Sequence, residues 1–166
     1  LSHKRIVGIH DFGTIDDLGV LYFVMEYVEG RTLAERLAKY GPMDSEDAYA
    51  TMKQICQGIS YAHEQGVMHL DIKPGNIMVN REGRVKILDF GLANLMANTE
   101  RKEGETAIGS LHYFAPERFD EDYVAQPQAD IYSLGVLLYT ILTGSEPEGE
   151  FSRASKVAGS HPRLDE

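Results

Sequence analysis

A chain of 166 residues, 43% of them hydrophobic, is long enough to bury a core and has the composition of an ordinary globular protein. Its formal net charge of −10 argues against a general nucleic-acid or membrane-surface binder, which would carry a basic face. Because Cys56 is the only cysteine, the chain can form neither an internal disulfide nor a cysteine-based zinc site, which is compatible with an intracellular setting.

No stretch of the sequence predicts a membrane segment or a signal peptide. The longest apolar stretch, Ile131 to Leu142, is interrupted by Ser133 and Thr140 and is too short to cross a bilayer. The chain opens with Leu1 rather than methionine, so we expect an upstream piece to be missing.

The first predicted element is a two-stranded hairpin. Apolar runs at Ile6 to Phe12 and Leu21 to Glu26 predict the strands, and the loop from Gly13 to Gly19 contains paired aspartates. Two strands alone are marginally stable in water. We therefore expect them to pack on the rest of the chain or on strands outside it.

Two helices are predicted next. Thr32 with Glu35 three residues later predicts a capping box, and Gly41-Pro42 ends this first helix. The second helix is capped by Asp44 or Ser45 and closed by Gly66. An apolar stripe with spacings of three and four runs along it: Ala48, Met52, Ile55, Ile59 and Ala62. Cys56 sits beside this stripe, and we expect its thiol to be packed.

The stretch from His69 to Asn76 concentrates side chains suited to chemistry. Two apolar runs, Ile77 to Val79 and Val85 to Leu88, flank a polar turn and predict a second hairpin. This hairpin should return the chain so that Asp89 lies near the stretch. A possible base, a cation and two oxygen-donor metal ligands are then supplied by Asp71, Lys73, Asn76 and Asp89.

The remaining chain contains one well-marked element. Leu92 to Ala107 is polar and weakly patterned, as in functional or mobile loops. A helix is predicted from Asp130 to about Thr143, and its apolar residues cover more than one face, so it should be buried nearly all round. The tail from Ser145 predicts no element.

The order His69-x-Asp71-x-Lys73-x-x-Asn76, then Asp89-Phe90-Gly91, then Ala115-Pro116-Glu117 and Asp130-x-x-Ser133 resembles the catalytic core of protein kinases, between about Ile6 and Leu142. The sequence looks most like bacterial serine/threonine kinases of the eukaryotic type. The resemblance implies an α+β, protein-kinase-like fold that is incomplete. Residues 1–28 would be the end of the small lobe and the hinge, and residues 29–166 the large lobe without its C-terminal helices.

The resemblance also implies a role for each matching residue. Asp71 matches the catalytic base, and Lys73 matches a lysine that neutralises the transferring phosphate and is typical of serine/threonine kinases. Asn76 and Asp89 match the Mg²⁺ ligands. ATP is the implied cofactor, and protein serine and threonine hydroxyls are the implied substrates.

Further positions match the nucleotide pocket and the substrate region. Backbone groups of Glu26 and Val28 would bond the adenine edge, with Met25 gating the back of the pocket and Met78 at its floor. The other matches are structural or regulatory. Ser110 matches a residue of the substrate-positioning loop, and Glu117 matches a residue that normally meets an arginine further along the chain. Asp130 matches the residue that ties down the backbone of the catalytic loop. Thr106 lies where the family often has a regulatory phosphorylation site and is a possible phosphosite.

Two departures from the family pattern stand out. Leu70 occupies a position where many kinases have an arginine that binds a phosphorylated activation loop, so we expect Thr106 phosphate not to be the main switch. No Gly-rich loop, strand lysine or helix glutamate precedes Ile6, and Lys4 and Arg5 lie too close to the first strand to serve. We therefore expect a kinase fragment that is inactive or nearly so on its own and prone to aggregate.

Two alternatives to a protein kinase stay open. The absent lysine would suit a pseudokinase or regulatory binding module, although Asp71, Asn76 and Asp89 would then have no purpose. A small-molecule kinase of the aminoglycoside or choline type shares part of the pattern, but Lys73 and Ala115-Pro116-Glu117 favour protein substrates. The expected location is cytoplasmic, either free or as the cytoplasmic part of a membrane-anchored protein.

Overall fold

The computed structural model describes residues 1–15, 18–90, 108–120, 122–148 and 152–159, with the side chains of 108–110 left out. Within these ranges the chain forms two small antiparallel sheets and four α-helices joined by short 3₁₀ turns. No helix among these residues is both long and apolar enough to cross a membrane.

The first sheet pairs β1 (Ile9–Ile15) with β2 (Val20–Met25). The hairpin is as predicted, but the predicted first strand is wrong in its bounds, since it starts three residues later and runs on to Ile15. The cause is long-range pairing, because Ile6 forms a parallel bridge to Ile87 and the Val7 N–H donates to the Ile87 carbonyl at 2.9 Å. Residues before β1 are therefore held by the second sheet.

The second sheet contains β3 (Arg31–Thr32), β4 (Ile77–Val79) and β5 (Val85–Ile87), in that order and all antiparallel. The predicted hairpin between β4 and β5 is confirmed. Its turn is fastened by the Asn80 side chain, whose Oδ1 accepts hydrogen bonds from the Glu82 and Arg84 amides. An aspartate or asparagine that bonds the backbone two residues on is a common turn device.

Helix α1 spans Leu33–Tyr40, and its capping box is confirmed. The Thr32 hydroxyl accepts from the Glu35 N–H at 3.1 Å, while the Glu35 carboxylate accepts from the Thr32 N–H at 2.9 Å. Two amide groups that the helix leaves without partners are thereby satisfied. The chain thus enters α1 directly from β3.

Helix α2 spans Ser45–Glu64 and is capped by Asp44, which accepts from the Asp47 N–H at 2.8 Å. The whole predicted stripe is buried. The expectation of a packed Cys56 thiol is wrong, because that side chain is exposed. Cys56 follows Ile55 by one residue, which turns its side chain about 100° away from the stripe.

Helix α3 spans Pro127–Thr143 and ends at Gly144, whose left-handed conformation lets its N–H bond the Thr140 carbonyl. The expectation that α3 is buried nearly all round is wrong on one edge, where Ile131 is 60% and Tyr132 43% exposed. The packed neighbours, α2, helix α4 (Ala154–Ala158) and the 3₁₀ helix Ile108–Tyr113, cover its other faces. Helix α4 itself was not predicted.

One main core joins these elements. Its completely buried aliphatic residues come from α1, α2, the second sheet, α3 and the segment before β4: Leu33, Ile55, Ile59, Ile72, Ile77, Val85, Ile87, Leu137 and Ile141. Ile72 is part of this core and lies between Asp71 and Lys73. The segment from His69 to Asn76 is consequently anchored from beneath by apolar packing.

Candidate active site

The structure brings three of the predicted site residues together around one carboxylate. The Asn76 Nδ2 donates to both the carbonyl oxygen and the Oδ2 of Asp71, each at 2.8 Å. The Lys73 Nζ lies 2.8 Å from the same Oδ2. A single 3₁₀ turn, Pro74–Asn76, produces this arrangement, and proline at its first position has its backbone angle preset for such a turn.

This geometry leaves one oxygen of Asp71 available. Both donors bond Oδ2, and within the described part of the chain Oδ1 accepts no hydrogen bond. The side chains of Asp71 and Lys73 are about a quarter exposed, at 26% and 28%. Asp71 can therefore accept a proton from a hydroxyl group that approaches from solvent.

Asp130, which is completely buried at the start of α3, fixes the backbone before Asp71. Its Oδ2 accepts from the His69 N–H at 2.8 Å, and its Oδ1 accepts from the Leu70 N–H at 2.7 Å. His63 contributes a third contact, with its Nε2 2.7 Å from Oδ2. A buried carboxylate is tolerable only with such partners, and two of the three contacts fix the backbone of this segment.

His63 did not emerge from the sequence analysis, although a signal was present. It lies four residues after Ile59 and so continues the buried stripe of α2. A histidine on a buried stripe needs a polar partner, so its place in the predicted stripe already indicates a buried polar contact.

His69 is completely buried and links the loop to the end of β5. Its Nε2 lies 2.8 Å from the Leu88 carbonyl, and its Nδ1 lies 3.2 Å from the Asp71 amide nitrogen. One nitrogen must then donate and the other accept, which defines a neutral ring. Burial lowers the pKa of His69, and the opposing effects of Asp130, the Leu88 carbonyl and the Asp71 and Asp89 carboxylates do not cancel it.

The β4–β5 hairpin returns the chain to the loop. The Leu88 N–H donates to the Asn76 carbonyl at 2.9 Å, and Asp89 follows in the left-handed region with a φ of 58°. Aspartate tolerates that region better than most residues. The Phe90 ring packs on the His69 ring with centroids 4.5 Å apart, while Gly91 lies outside the described residues.

The donor set at this point fits a hard cation. Both Nδ2 contacts of Asn76 go to Asp71, so the amide oxygen of Asn76 faces a different direction and can act as a ligand with the Asp89 carboxylate. Among the described residues no three His, Cys, Asp or Glu side chains form a metal cluster. Mg²⁺ usually takes only one or two protein ligands, alongside water and substrate phosphates.

Leu70 is the most constrained residue of the segment. It adopts a left-handed φ of 64°, which costs an ordinary residue about 1–2 kcal/mol. Its side chain is buried against Ala115 and Ala129, and its carbonyl accepts from the Arg118 Nη1 at 2.5 Å. In the sequence Leu70 is a departure from the family pattern, but no local pattern indicates that Arg118 would reach it.

The residues predicted to bind adenine lie along one connection. The Glu26 N–H donates to the Gly8 carbonyl at 2.9 Å, and its carboxylate pairs with Lys86 of β5. Among the described residues Val28 makes no hydrogen bond, so its backbone groups are available to a ligand. Met25 ends β2 and is 38% exposed, whereas Met78 is half-buried in β4 of the other sheet.

The predicted substrate-region residues are described less completely. The Ser110 backbone lies in the 3₁₀ helix Ile108–Tyr113, with its side chain outside the description, and Thr106 lies outside the described residues altogether. Glu117 is half-buried in the 3₁₀ helix Pro116–Phe119. Ser133 fastens the segment between them to α3, since its hydroxyl donates to the Tyr113 carbonyl at 2.6 Å.

The chain is similar to known proteins in both sequence and structure. A family model described as the protein kinase domain matches residues 1–161. The serine/threonine-protein kinase PrkC of Bacillus subtilis is 41% identical over 151 residues, covering 90% of this chain and 23% of PrkC. PknB of Mycobacterium tuberculosis is 39% identical over 169 residues, covering 99% of this chain and 27% of PknB.

A solved structure, that of Rad53 residues 1–466 in complex with AMP-PNP, superposes with a TM-score of 0.71 at 33% identity. The match covers 96% of this chain and 38% of that one. The chain thus spans about a quarter of the length of the two bacterial relatives. The fold class expected from the sequence, α+β and protein-kinase-like, is confirmed by these matches. Because the family model matches nearly all of it, the chain belongs to the protein kinase domain family.

Proposed function

We propose that the chain is the catalytic region of a serine/threonine protein kinase, which transfers the γ-phosphate of ATP to protein hydroxyls. The observation that carries the proposal is the Asp71 carboxylate, held through Oδ2 by Lys73 and Asn76, while none of the residues that the structure describes donates to Oδ1. Membership of the protein kinase domain family and relatives named serine/threonine-protein kinases support the same reaction.

In the proposed reaction the substrate hydroxyl oxygen forms a bond to the γ-phosphorus, and the bond from that phosphorus to the β,γ-bridging oxygen breaks. The hydroxyl proton goes to Asp71, and ADP leaves. Lys73 places a positive charge 2.8 Å from the base and can neutralise charge on the transferring phosphate. Positioning and charge neutralisation account for most catalysis of this kind.

Asn76 and Asp89 are the proposed ligands of Mg²⁺. They supply the amide and carboxylate oxygens that a hard cation prefers. The cation would offset the negative charge of the ATP phosphates. The hairpin bond from the Leu88 N–H to the Asn76 carbonyl supports this assignment, because it fastens together the two segments that carry the ligands.

Adenine recognition is assigned to the segment between the two sheets. The Glu26 carbonyl and the backbone groups of Val28 would bond the adenine edge, with Met25 behind the ring and Met78 beneath it. Val28 has no hydrogen-bond partner within the described residues, which supports this role. The need for ATP makes a cytoplasmic location part of the proposal.

The protein substrate is proposed to lie along the segment that contains Ser110, with Glu117 and Asp130 supporting it and the catalytic loop. Thr106 remains a proposed phosphosite. The hydrogen bonds from Asp130 to the backbone of His69 and Leu70 support a positioning role for that residue.

The proposal is tested in the natural protein that contains this chain, with radiolabelled Mg-ATP and a mixture of serine, threonine and tyrosine peptides. Asp71→Asn and Asp89→Asn should each abolish transfer to serine and threonine, because each removes a carboxylate from the reacting centre. Glu46→Gln removes an equivalent charge from an exposed position in the first turn of α2 and should leave the rate unchanged. Transfer that survives in Asp71→Asn would refute the assigned base. A protein that binds ATP but transfers no phosphate would instead support a binding module.

A further inference from the structure

Arg118 makes a contact that no expected function accounts for. Its Nη1 donates to the Leu70 carbonyl across 48 positions of sequence, from the 3₁₀ helix Pro116–Phe119 to the loop that holds Asp71. We propose that Arg118 is a positioning residue, whose guanidinium holds the peptide group before Asp71 and thereby orients the proposed base. The inference rests on the proposed kinase function for its catalytic part and on geometry alone for its structural part.

The peptide group that joins Leu70 to Asp71 is held on both sides. The Leu70 carbonyl accepts from Arg118 at 2.5 Å, and the Asp71 N–H is directed at the His69 Nδ1 at 3.2 Å. Because a peptide group is planar and rigid, fixing its oxygen and its N–H fixes the direction in which the Asp71 Cα leaves it. Of these two contacts, the one from Arg118 involves a full charge.

The preceding peptide group depends on a separate anchor. The Leu70 N–H donates to Asp130, and the Leu70 side chain is buried against Ala115 and Ala129. These contacts hold the amide and side chain of Leu70 but leave its carbonyl to Arg118. A left-handed φ of 64° is unfavourable for leucine, so the residue needs contacts on both of its peptide groups to remain there.

Arg118 is itself well placed for this role. Its guanidinium lies 3.9 Å from the centroid of the Phe114 ring, and its own N–H donates to the Ala115 carbonyl at 2.9 Å. Guanidinium stacks on aromatic faces and stays charged at all accessible pH values. The contact to Leu70 is therefore a charge-assisted hydrogen bond that needs neither phosphorylation nor a particular protonation state.

The contact from Arg118 matters in this chain because residue 70 is a leucine. Leucine has no polar side-chain atom, so the side chain of residue 70 cannot connect the loop to a charged group elsewhere. Arg118 supplies that connection in the opposite direction, from the segment after Ala115 to the backbone of residue 70. The contact between these two segments then does not depend on phosphorylation.

The test uses Arg118→Met and Arg118→Lys in the natural protein that contains this chain. Methionine keeps an unbranched stem against Phe114 but removes the donors, while lysine keeps a charge and a donor. Arg84→Met is the matched control, because Arg84 is exposed and paired with Glu82 at the surface. Hydrogen–deuterium exchange of peptides covering residues 69–73 measures the anchoring, and kcat and KM for ATP measure its consequence.

Arg118→Met should accelerate exchange in residues 69–73 and lower kcat by roughly 10- to 100-fold, the range expected from one charge-assisted hydrogen bond. KM for ATP should change less than about twofold, since the adenine segment is untouched. Arg118→Lys should recover part of kcat. Arg84→Met should change neither measurement.

Unchanged exchange in Arg118→Met would overturn the anchoring, and faster exchange with unchanged kcat would overturn the positioning role. Should Arg118→Met fail to fold, a folded Arg118→Lys protein with faster exchange in residues 69–73 and a lowered kcat supports the proposal, and one with unchanged exchange or unchanged kcat overturns it. If the wild-type protein transfers no phosphate, the proposed function fails while the exchange of residues 69–73 still decides whether Arg118 holds the loop.

Discussion

Replacing Asp130 by asparagine should destabilise the protein far more than the loss of one charge on the surface would. The Asp130 carboxylate is completely buried and accepts from the His69 N–H, the Leu70 N–H and His63. Asparagine has the same shape but only one acceptor oxygen, and its NH₂ group would face a backbone N–H. Whichever way the amide is turned, at least one buried donor loses its acceptor.

The magnitude follows from those contacts. A hydrogen bond to a charged group contributes about 1.5–3 kcal/mol, and a buried donor left without a partner costs a further ~1–3 kcal/mol. We therefore expect Asp130→Asn to lower the free energy of unfolding by about 3–5 kcal/mol, the range measured when one partner of a buried pair is removed. For a domain of this size, that corresponds to a fall in Tm of roughly 6–20 °C.

The assay is thermal unfolding of the natural protein that contains this chain, monitored by circular dichroism at fixed concentration. Asp47→Asn is the control, since the Asp47 carboxylate is largely exposed and forms a long ion pair, 3.7 Å from Arg36. This control should shift Tm by no more than about 2 °C. A fall of less than about 2 °C for Asp130→Asn would show that the carboxylate does not carry the hydrogen bonds assigned to it.

Three further predictions concern the backbone, the phosphosite and pH. Gly30→Ala should destabilise the fold by more than about 1 kcal/mol, because Gly30 has a φ of 145° and an added Cβ would lie 2.5 Å from the Val79 carbonyl oxygen. Gly135→Ala, at an open position on α3, should be neutral or stabilising. Urea titration measures both changes, and equal effects on the free energy of unfolding would contradict this prediction. Thr106→Ala should retain kinase activity, since Leu70 cannot bind a phosphate; collapse of activity that Thr106→Glu restores would disprove it. Burial lowers the pKa of His69 below its ordinary value of 6.5, so the unfolded state binds the proton more readily and stability should fall as pH drops below 6.5. His69→Gln should flatten that dependence when unfolding is measured between pH 7 and pH 5, and an unaltered slope would assign it to other groups.

Local sequence signals predicted much of this fold. The Thr32 capping box, the Asp44 cap, the apolar stripe of α2 and the β4–β5 hairpin all depend on residues a few positions apart, and all are present. The clustering of Asp71, Lys73 and Asn76 was predictable for the same reason, because one 3₁₀ turn is enough to bring them together.

Most of the sequence predictions that failed depended on contacts between residues far apart in the chain. Residues 5–7 pair with Ile87, some eighty positions away, and this long-range pairing displaced the start of β1 from its predicted place. The bonds from His63 to Asp130 and from Arg118 to Leu70 join segments with no shared local pattern. The expected packing of Cys56 failed for a local reason, because Cys56 follows the buried Ile55 by one residue, and on a helix one residue is enough to change a buried position into an exposed one.

The position of β5 within its sheet has a consequence for how the molecule opens. Ile87 is bonded on one side through residues 5–7, and its strand is paired on the other side with β4. Each amide of this strand exchanges with solvent when the pairing that holds its N–H opens; the Ile87 N–H, which donates to the Arg5 carbonyl, needs the pairing with residues 5–7 to separate. Strands β1 and β2 are paired solely with each other within the described residues. The two sheets should therefore behave as separate cooperative units, with the β1–β2 pair opening at a lower free energy than the sheet that delivers Asp89.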